Sequence, residues 1–246
     1  MATIIISDLH NRVDWVEPAL SLLKPYDNVI FLGDYFDDFN DTPEDAANSA
    51  KWLKQSLSRP NRIHLCGTHD IWYRFPDNQY IQASGNTEEK SDAINQIITE
   101  KDWGLLQLFH YEQGFLFTHA GVHSYFIKKF AFENKISMQG EIIDKILKPA
   151  TQKALMDISN NRPNEWLAAG FARGGMQAVG GITWLDWDDE FEPVPELNQI
   201  VGHTQMKYPG EKSMQNSKNY CLDTKNKHLG VLENGIFSYI ENNSRL

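Results

Sequence analysis

Short apolar runs set apart by polar, glycine-bearing stretches dominate the first third of the chain. Residues 3–7 and 28–32 lack the alternation of a half-wet strand, so they predict strands covered on both faces, and residues 62–66 belong with them. Between the first two runs, Val13, Val16, Leu20 and Leu23 recur at helical spacing and give a crossover of the length that a parallel pair requires. The opening therefore predicts β-α-β. Thr42, Pro43 and Asp45 carry the signature of a capped helix start, followed by a buried face of Ala46, Ala50, Leu53 and Leu57. A polar stretch over residues 74–90 leads into a predicted helix over 91–100. Further on, residues 114–118 predict a strand and 140–156 a helix with Ile142, Ile143, Ile146 and Leu147 on one side, while 160–181 reads as loop. Strands follow at 198–201, 220–222, 230–233 and 235–239, the last two around the turn signal Glu233-Asn234-Gly235. With no repeat and no low-complexity linker, the expectation is one α/β domain over 1–246, with helical or loop insertions near 72–113 and 123–181.

Five of the apolar runs end alike, with a metal-capable residue within a few positions of the carboxyl end. These are Ser7-Asp8-Leu9-His10, Gly33-Asp34, Gly67-Thr68-His69-Asp70, Thr118-His119-Ala120-Gly121 and Gly202-His203-Thr204. Ligands of helix-covered sheets collect outside the carboxyl ends of strands, so this recurrence predicts one shared pocket. Asp8 and His10 sit two apart, which in extended chain points both side chains to one side, and Asp34 can offer one oxygen to each of two ions. Carboxylate mixed with imidazole suits manganese, iron or zinc, whereas calcium prefers oxygen alone. His64, inside a strand, and His110, His123 and His228, outside the recurring pattern, read as structural or surface residues.

Charge and composition narrow the partners. Hydrophobic residues at 41% and aromatic residues at 12% describe an ordinary globular chain, and the formal net charge of -10 disfavours nucleic acid, whose phosphates draw on clustered Lys and Arg. Cys66 and Cys221 alone make no disulfide framework. No stretch reaches the ~18 to 20 apolar residues that span a bilayer, and no basic leader precedes the first apolar run. The expectation is a cytoplasmic protein with no membrane partner.

In order along the chain, Asp8-Leu9-His10, Gly33-Asp34 with Asp37, Gly67-Thr68-His69-Asp70, His119 and Gly202-His203 resemble the motifs of the calcineurin-like metallophosphoesterases. Thr118-His119-Ala120-Gly121, Ile182-Thr183-Trp184-Leu185-Asp186, Gly202-His203-Thr204 and Cys221-Leu222-Asp223-Thr224 are most similar to the serine/threonine protein phosphatases and symmetrical diadenosine tetraphosphatases. The resemblance, running from Asp8 to about Tyr239, implies a four-layer α/β/β/α sandwich with its metal site at the carboxyl ends of the strands. It implies two divalent ions, manganese foremost, with iron, zinc, cobalt or nickel as alternatives. Asp8 and His10 would hold one, Asp34 would bridge, and His119 and His203 would hold the other. His69 would be the catalytic histidine, Asp37 its carboxylate partner, and Asp70 follows it directly. The ions would share and acidify the attacking water, giving hydrolysis of phosphomonoesters or nucleoside polyphosphates.

Two residues depart from the family pattern. Thr68 stands where the family has an Asn that binds the second metal, and Asp38 stands where the nearest families place a phosphate-gripping Arg. Arg12, Arg74 and Arg173 are the candidates to replace that cation. Expected substrates are a phosphorylated small molecule, a nucleotide or a phosphoprotein. The alternative is a metal-binding but non-catalytic or weakly active member acting as a binding module, which Thr68 and Asp38 favour; a nuclease would want a basic track that the net charge does not supply.

Overall fold

In the computed structural model, which describes residues 1–23, 25–135 and 142–244, the buried apolar runs pair in parallel. β1 (Ala2–Ile6) lies between β2 (Asn28–Phe31) and β9 (His228–Glu233); β3 (Arg62–His64) and β10 (Ile236–Glu241) form the edges, in the order β10-β9-β1-β2-β3. β1, β2 and β3 run parallel, with Ile5 opposite Ile30 and Ile30 opposite Ile63. A second sheet orders β4 (Phe109–Glu112), β5 (Phe115–Thr118), β6 (Asn198–Val201), β8 (Ser217–Cys221) and β7 (Gly210–Met214), with β5, β6 and β8 parallel.

The pleat sorts side chains into layers. Ile5, Ile30, Leu32 and Leu65 of the first sheet pack with Phe115, Phe117, Ile200 and Leu222 of the second in one buried cluster. Ile4, Ile6, Val29 and Phe31, one step out of phase, join a second cluster with Ala19 and Leu20 of α1 (Val16–Leu22) and Ala50 and Leu53 of α2 (Pro43–Leu57). Leu116 belongs to that cluster together with Phe126 and Ile127 of α6 (Ser124–Glu133) and Ala150 and Ala154 of α7 (Lys148–Ser159). Helices thus cover the outer face of each sheet, which is the expected four-layer sandwich. Among the described residues, no helix is long and apolar enough to cross a membrane.

α2 starts as its sequence predicts. Thr42 accepts from the Asp45 amide while the Asp45 carboxylate accepts from the Thr42 amide. The predicted helix over 91–100 instead begins at Thr87, which caps α4 (Glu88–Asn95), and a fresh cap at Thr99 starts α5 (Glu100–Trp103). The predicted helix over 140–156 begins outside the described residues, passes through a π-helical turn at Ile143–Leu147, and continues as α7 to Ser159. Several of the described elements were not anticipated. β4 and β7 are sheet edges with mostly exposed or half-buried side chains, so neither shows an apolar run. α3 (Thr68–Arg74) starts inside the third motif, where the Asp70 carboxylate accepts from the Gly67 amide and turns the chain into helix. α6 lies in a stretch expected to be an insertion.

His64 shows what a structural histidine costs. Its ring stacks on Phe31 at 4.6 Å and sits between the Tyr35 hydroxyl and the Ser56 hydroxyl, each 2.9 Å away. Burial, aided by the nearby Arg62 cation, lowers its pKa to about 3. In the unfolded chain the same ring protonates near ~6.5, so the unfolded state alone takes up the proton between those values. The stabilisation is complete above the unfolded pKa and is lost as pH falls through that window, at about 1.4 kcal/mol per pH unit. Urea unfolding from pH 7 to 4.5 is expected to be flatter by about that slope in His64→Gln; parallel profiles would refute the assignment.

Candidate metal centre

Six parallel strands deliver their carboxyl ends to one place. Asp8 and His10 follow β1, Asp34 follows β2, Gly67 and Thr68 follow β3, His119 follows β5, His203 follows β6 and Asp223 follows β8. Backbone bonds tie these ends together: the amides of Leu9 and His10 donate to the Asp34 carbonyl at 2.8 and 2.9 Å, and the Gly202 amide donates to the His119 carbonyl at 2.7 Å. The His203 amide reaches across to both oxygens of Asp8 at 3.0 and 3.2 Å, and His119 Nδ1 donates to the Leu32 carbonyl at 2.9 Å, so both contacts join the two sheets. His10, Asp34, Asp37 and His203 all adopt left-handed backbone, with φ of 44, 54, 62 and 67°. Such conformations are costly for residues with a Cβ and collect where function fixes them.

Asp34 belongs to two groups whose ligand atoms lie within 4.8 Å of one another, His10 with Asp34 and His69, and Asp34 with His119 and His203. His119 Nε2 is 3.3 Å from Asp34 Oδ2 and 3.2 Å from His203 Nδ1. Because a carbonyl only accepts, the bond from His119 to Leu32 keeps a proton on Nδ1 and turns Nε2 toward those two atoms. His10 is oriented in the same way by the Asp37 carbonyl, 2.7 Å from Nδ1. Asp8 stands outside both groups, beside Asp223. Burial, then the Asp223 charge, pushes the Asp8 carboxyl well above the usual carboxylate range. At Asp34 burial acts the same way, but His119, His69 and His10 outweigh it and hold this carboxyl well below that range.

These residues fit divalent cations on several counts. The buried Nε2 of His203 has no hydrogen-bond partner. Burial, with the charges of His119 and Arg173, keeps this ring well below the usual histidine range, and the neutral imidazole is the form that binds metal. A Cβ on Gly67 would fall 2.1 Å from Asp34 Oδ1, and one on Gly202 would fall 2.2 Å from Asp8 Oδ2, so both glycines keep space clear beside the carboxylates. Mixed imidazole and carboxylate donors suit a first-row transition ion.

A family model described as calcineurin-like phosphoesterase matches residues 1–207. The chain belongs to that family. Structures of similar fold include the cold-active protein-tyrosine phosphatase of a psychrophilic Shewanella, 15% identical over 98% of this chain and 80% of that one, with a TM-score of 0.59. A serine/threonine phosphatase of Saccharomyces cerevisiae is also similar, at 15% identity over 98% of this chain and 80% of that one, with a TM-score of 0.47. So is a metallophosphoesterase of Sphaerobacter thermophilus, at 14% identity over 98% and 89%, with a TM-score of 0.46. No curated protein matches the chain.

Within this calcineurin-like chain, Thr68 opens α3 fully buried, and its hydroxyl lies 3.3 Å from each oxygen of Asp34. His69 is turned by Asp37, whose Oδ2 is 3.1 Å from its Nδ1, and its amide donates to Asp34 Oδ1 at 2.8 Å. Asp70 accepts from the amides of Asp34, Tyr35 and Gly67 at 2.7 to 2.8 Å, clamping the loops after β2 and β3 together. Arg12 pairs with Asp38 at 3.4 Å. Arg173 donates to the Thr204 hydroxyl at 2.8 Å, one residue past His203, and pairs with Asp186 at 2.7 Å. Arg74 is committed to Glu100 and stacks over Phe75 at 5.0 Å.

Several residues of the site escaped sequence reasoning. Asp223, quoted within Cys221-Leu222-Asp223-Thr224 but given no role in the site, lies beyond the family-matched span and obeys the strand-end rule that singled out the others. Tyr73, Asn86 and Lys90 all bond to Asp37, and nothing in their local pattern signals it. Asn226 donates to the Asp8 carbonyl at 3.0 Å.

Proposed function

We propose that this calcineurin-like phosphoesterase hydrolyses phosphomonoesters or nucleoside polyphosphates using two divalent ions, manganese foremost. The observation that carries the reading is Asp34, a single buried carboxylate shared by two histidine-bearing groups. Asp8, His10 and Asp34 would hold one ion, and Asp34, His119 and His203 the other, with the Thr68 hydroxyl beside the second. Bound there, the ions would acidify the attacking water and neutralise charge on the phosphoryl oxygens.

The remaining steps fall to the chain's own side chains. Burial disfavours a charged His69, but Asp34 and Asp37 outweigh it and raise its pKa. A histidine kept protonated in this way can protonate a departing oxygen. Burial likewise opposes the Asp37 charge, and His69, Tyr73 and Lys90 overcome it, so Asp37 stays an acceptor that orients the ring. Arg173, anchored by Asp186 beside His203, and Arg12, beside Asp38, would grip the phosphate in place of the family's Arg. The substrate is a phosphorylated small molecule, nucleotide or phosphoprotein.

Manganese-supplemented protein is expected to hydrolyse a generic aryl phosphate, to lose that activity on chelation and to regain it when manganese returns. Turnover indifferent to chelation would overturn the reading. The Thr68 contact with Asp34 favours one second reading, a metal-binding member without catalysis, which predicts a manganese-dependent rise in melting temperature with no turnover on aryl phosphates or nucleotides.

A further inference from the structure

Lys90 is a buried lysine, 5% exposed, on α4. Its Nζ donates to Asp37 Oδ1 and the Gly85 carbonyl, both at 3.0 Å, and to Asp41 Oδ1 at 2.5 Å. The Tyr73 hydroxyl donates to the same Asp37 Oδ1 at 2.6 Å, whereas Asn86 takes Oδ2 at 2.7 Å, the oxygen that faces His69. Two donors on Oδ1 therefore fix how Oδ2 is presented to the imidazole. Asp41 in turn accepts from Asn11, the neighbour of His10, at 2.7 Å. Asp37 and Asn40 are left-handed, at φ 62 and 61°, so Lys90 pins this strained turn at both ends. Gly85 is left-handed too, and a Cβ there would come within 3.2 Å of the Asp37 Cβ, which shows how closely this loop approaches Asp37.

Burying an ammonium is expensive, and pairing it with two buried carboxylates can serve specificity of geometry rather than stability. We propose that Lys90 is a positioning residue for His69: with Tyr73 it holds Asp37 so that the imidazole is aimed at the oxygen leaving phosphorus. This rests on the phosphohydrolase reading above. In the step concerned, a water oxygen forms a new bond to phosphorus, its proton passing to solvent, as the bond from phosphorus to the leaving oxygen breaks with its electron pair passing to that oxygen. That oxygen takes the ring proton of His69, and solvent restores the proton afterwards.

The test compares Lys90→Met and Tyr73→Phe with the unaltered protein, all loaded with manganese, on two aryl phosphates. Phenyl phosphate has a basic leaving group that needs a proton, and dinitrophenyl phosphate has one that leaves without it. For Lys90→Met, kcat on phenyl phosphate is expected to fall at least about 10-fold while KM and turnover of dinitrophenyl phosphate stay within about 2-fold. Tyr73→Phe is expected to show the same asymmetry at smaller size, and it decides the matter if Lys90→Met does not fold. Equal losses on both substrates, a loss confined to KM, or no loss would overturn the proposal. An unaltered protein that hydrolyses neither substrate would instead defeat the phosphohydrolase reading and this inference with it.

Discussion

Replacing Asp34 by Asn is expected to lower kcat/KM by at least about 10³-fold, equivalent to ~4 kcal/mol of transition-state stabilisation, and to reduce the ions held per chain. The substitution changes almost no volume at a site that is 2% exposed, so packing is not what it tests. What it removes is the charge shared by the His10 and His119 groups, whose ring nitrogens stand 3.8 and 3.3 Å from Oδ2. A neutral amide keeps a single acceptor oxygen where the carboxylate offers two. Steady-state kinetics and metal analysis on the same sample read the result. A loss below about 10-fold with the metal content unchanged would deny Asp34 its bridging role.

Thr68→Asn works in the opposite direction. The Thr68 hydroxyl lies 3.3 Å from both Asp34 oxygens, a contact that occupies the carboxylate without offering a strong ligand. An amide oxygen at the same helix start supplies a better neutral donor, so manganese affinity at the weaker site and kcat/KM at limiting manganese are both expected to rise about 10-fold. Calorimetric titration with manganese, alongside turnover, checks this. If tighter binding brings no gain in turnover, Thr68 is not what limits the site.

Most of this centre was legible in the sequence because parallel strands buried on both faces read as apolar runs, and their carboxyl ends fall at fixed places. Asp8, His10, Asp34, His119 and His203 were singled out in this way, and all but Asp8 fall in the two groups that share Asp34. Asp70 illustrates the limit: adjacency to His69 suggested chemistry, yet its carboxylate binds three backbone amides. Sequence spacing says nothing about which way a side chain turns once a helix begins, and α3 begins at Thr68. Of the three arginines, Arg173 and Arg12 lie by the site loops, whereas Arg74 is taken up by Glu100, a choice made by tertiary contacts alone. Lys90 was invisible for the same reason, since its partner Asp37 is 53 positions away. Edge strands β4 and β7 were missed because an edge needs no apolar pattern to pair.

Whether Asp34 joins two cation sites that together perform the hydrolysis is tested most directly by stripping the protein of metal, titrating manganese back, and following ions bound per chain and aryl phosphate turnover in the same samples. Turnover is expected to appear only as a second ion binds, and to be absent from Asp34→Asn at every manganese concentration. Full turnover in the stripped protein, or saturation with two ions and no turnover of aryl phosphate or nucleotide, would contradict it.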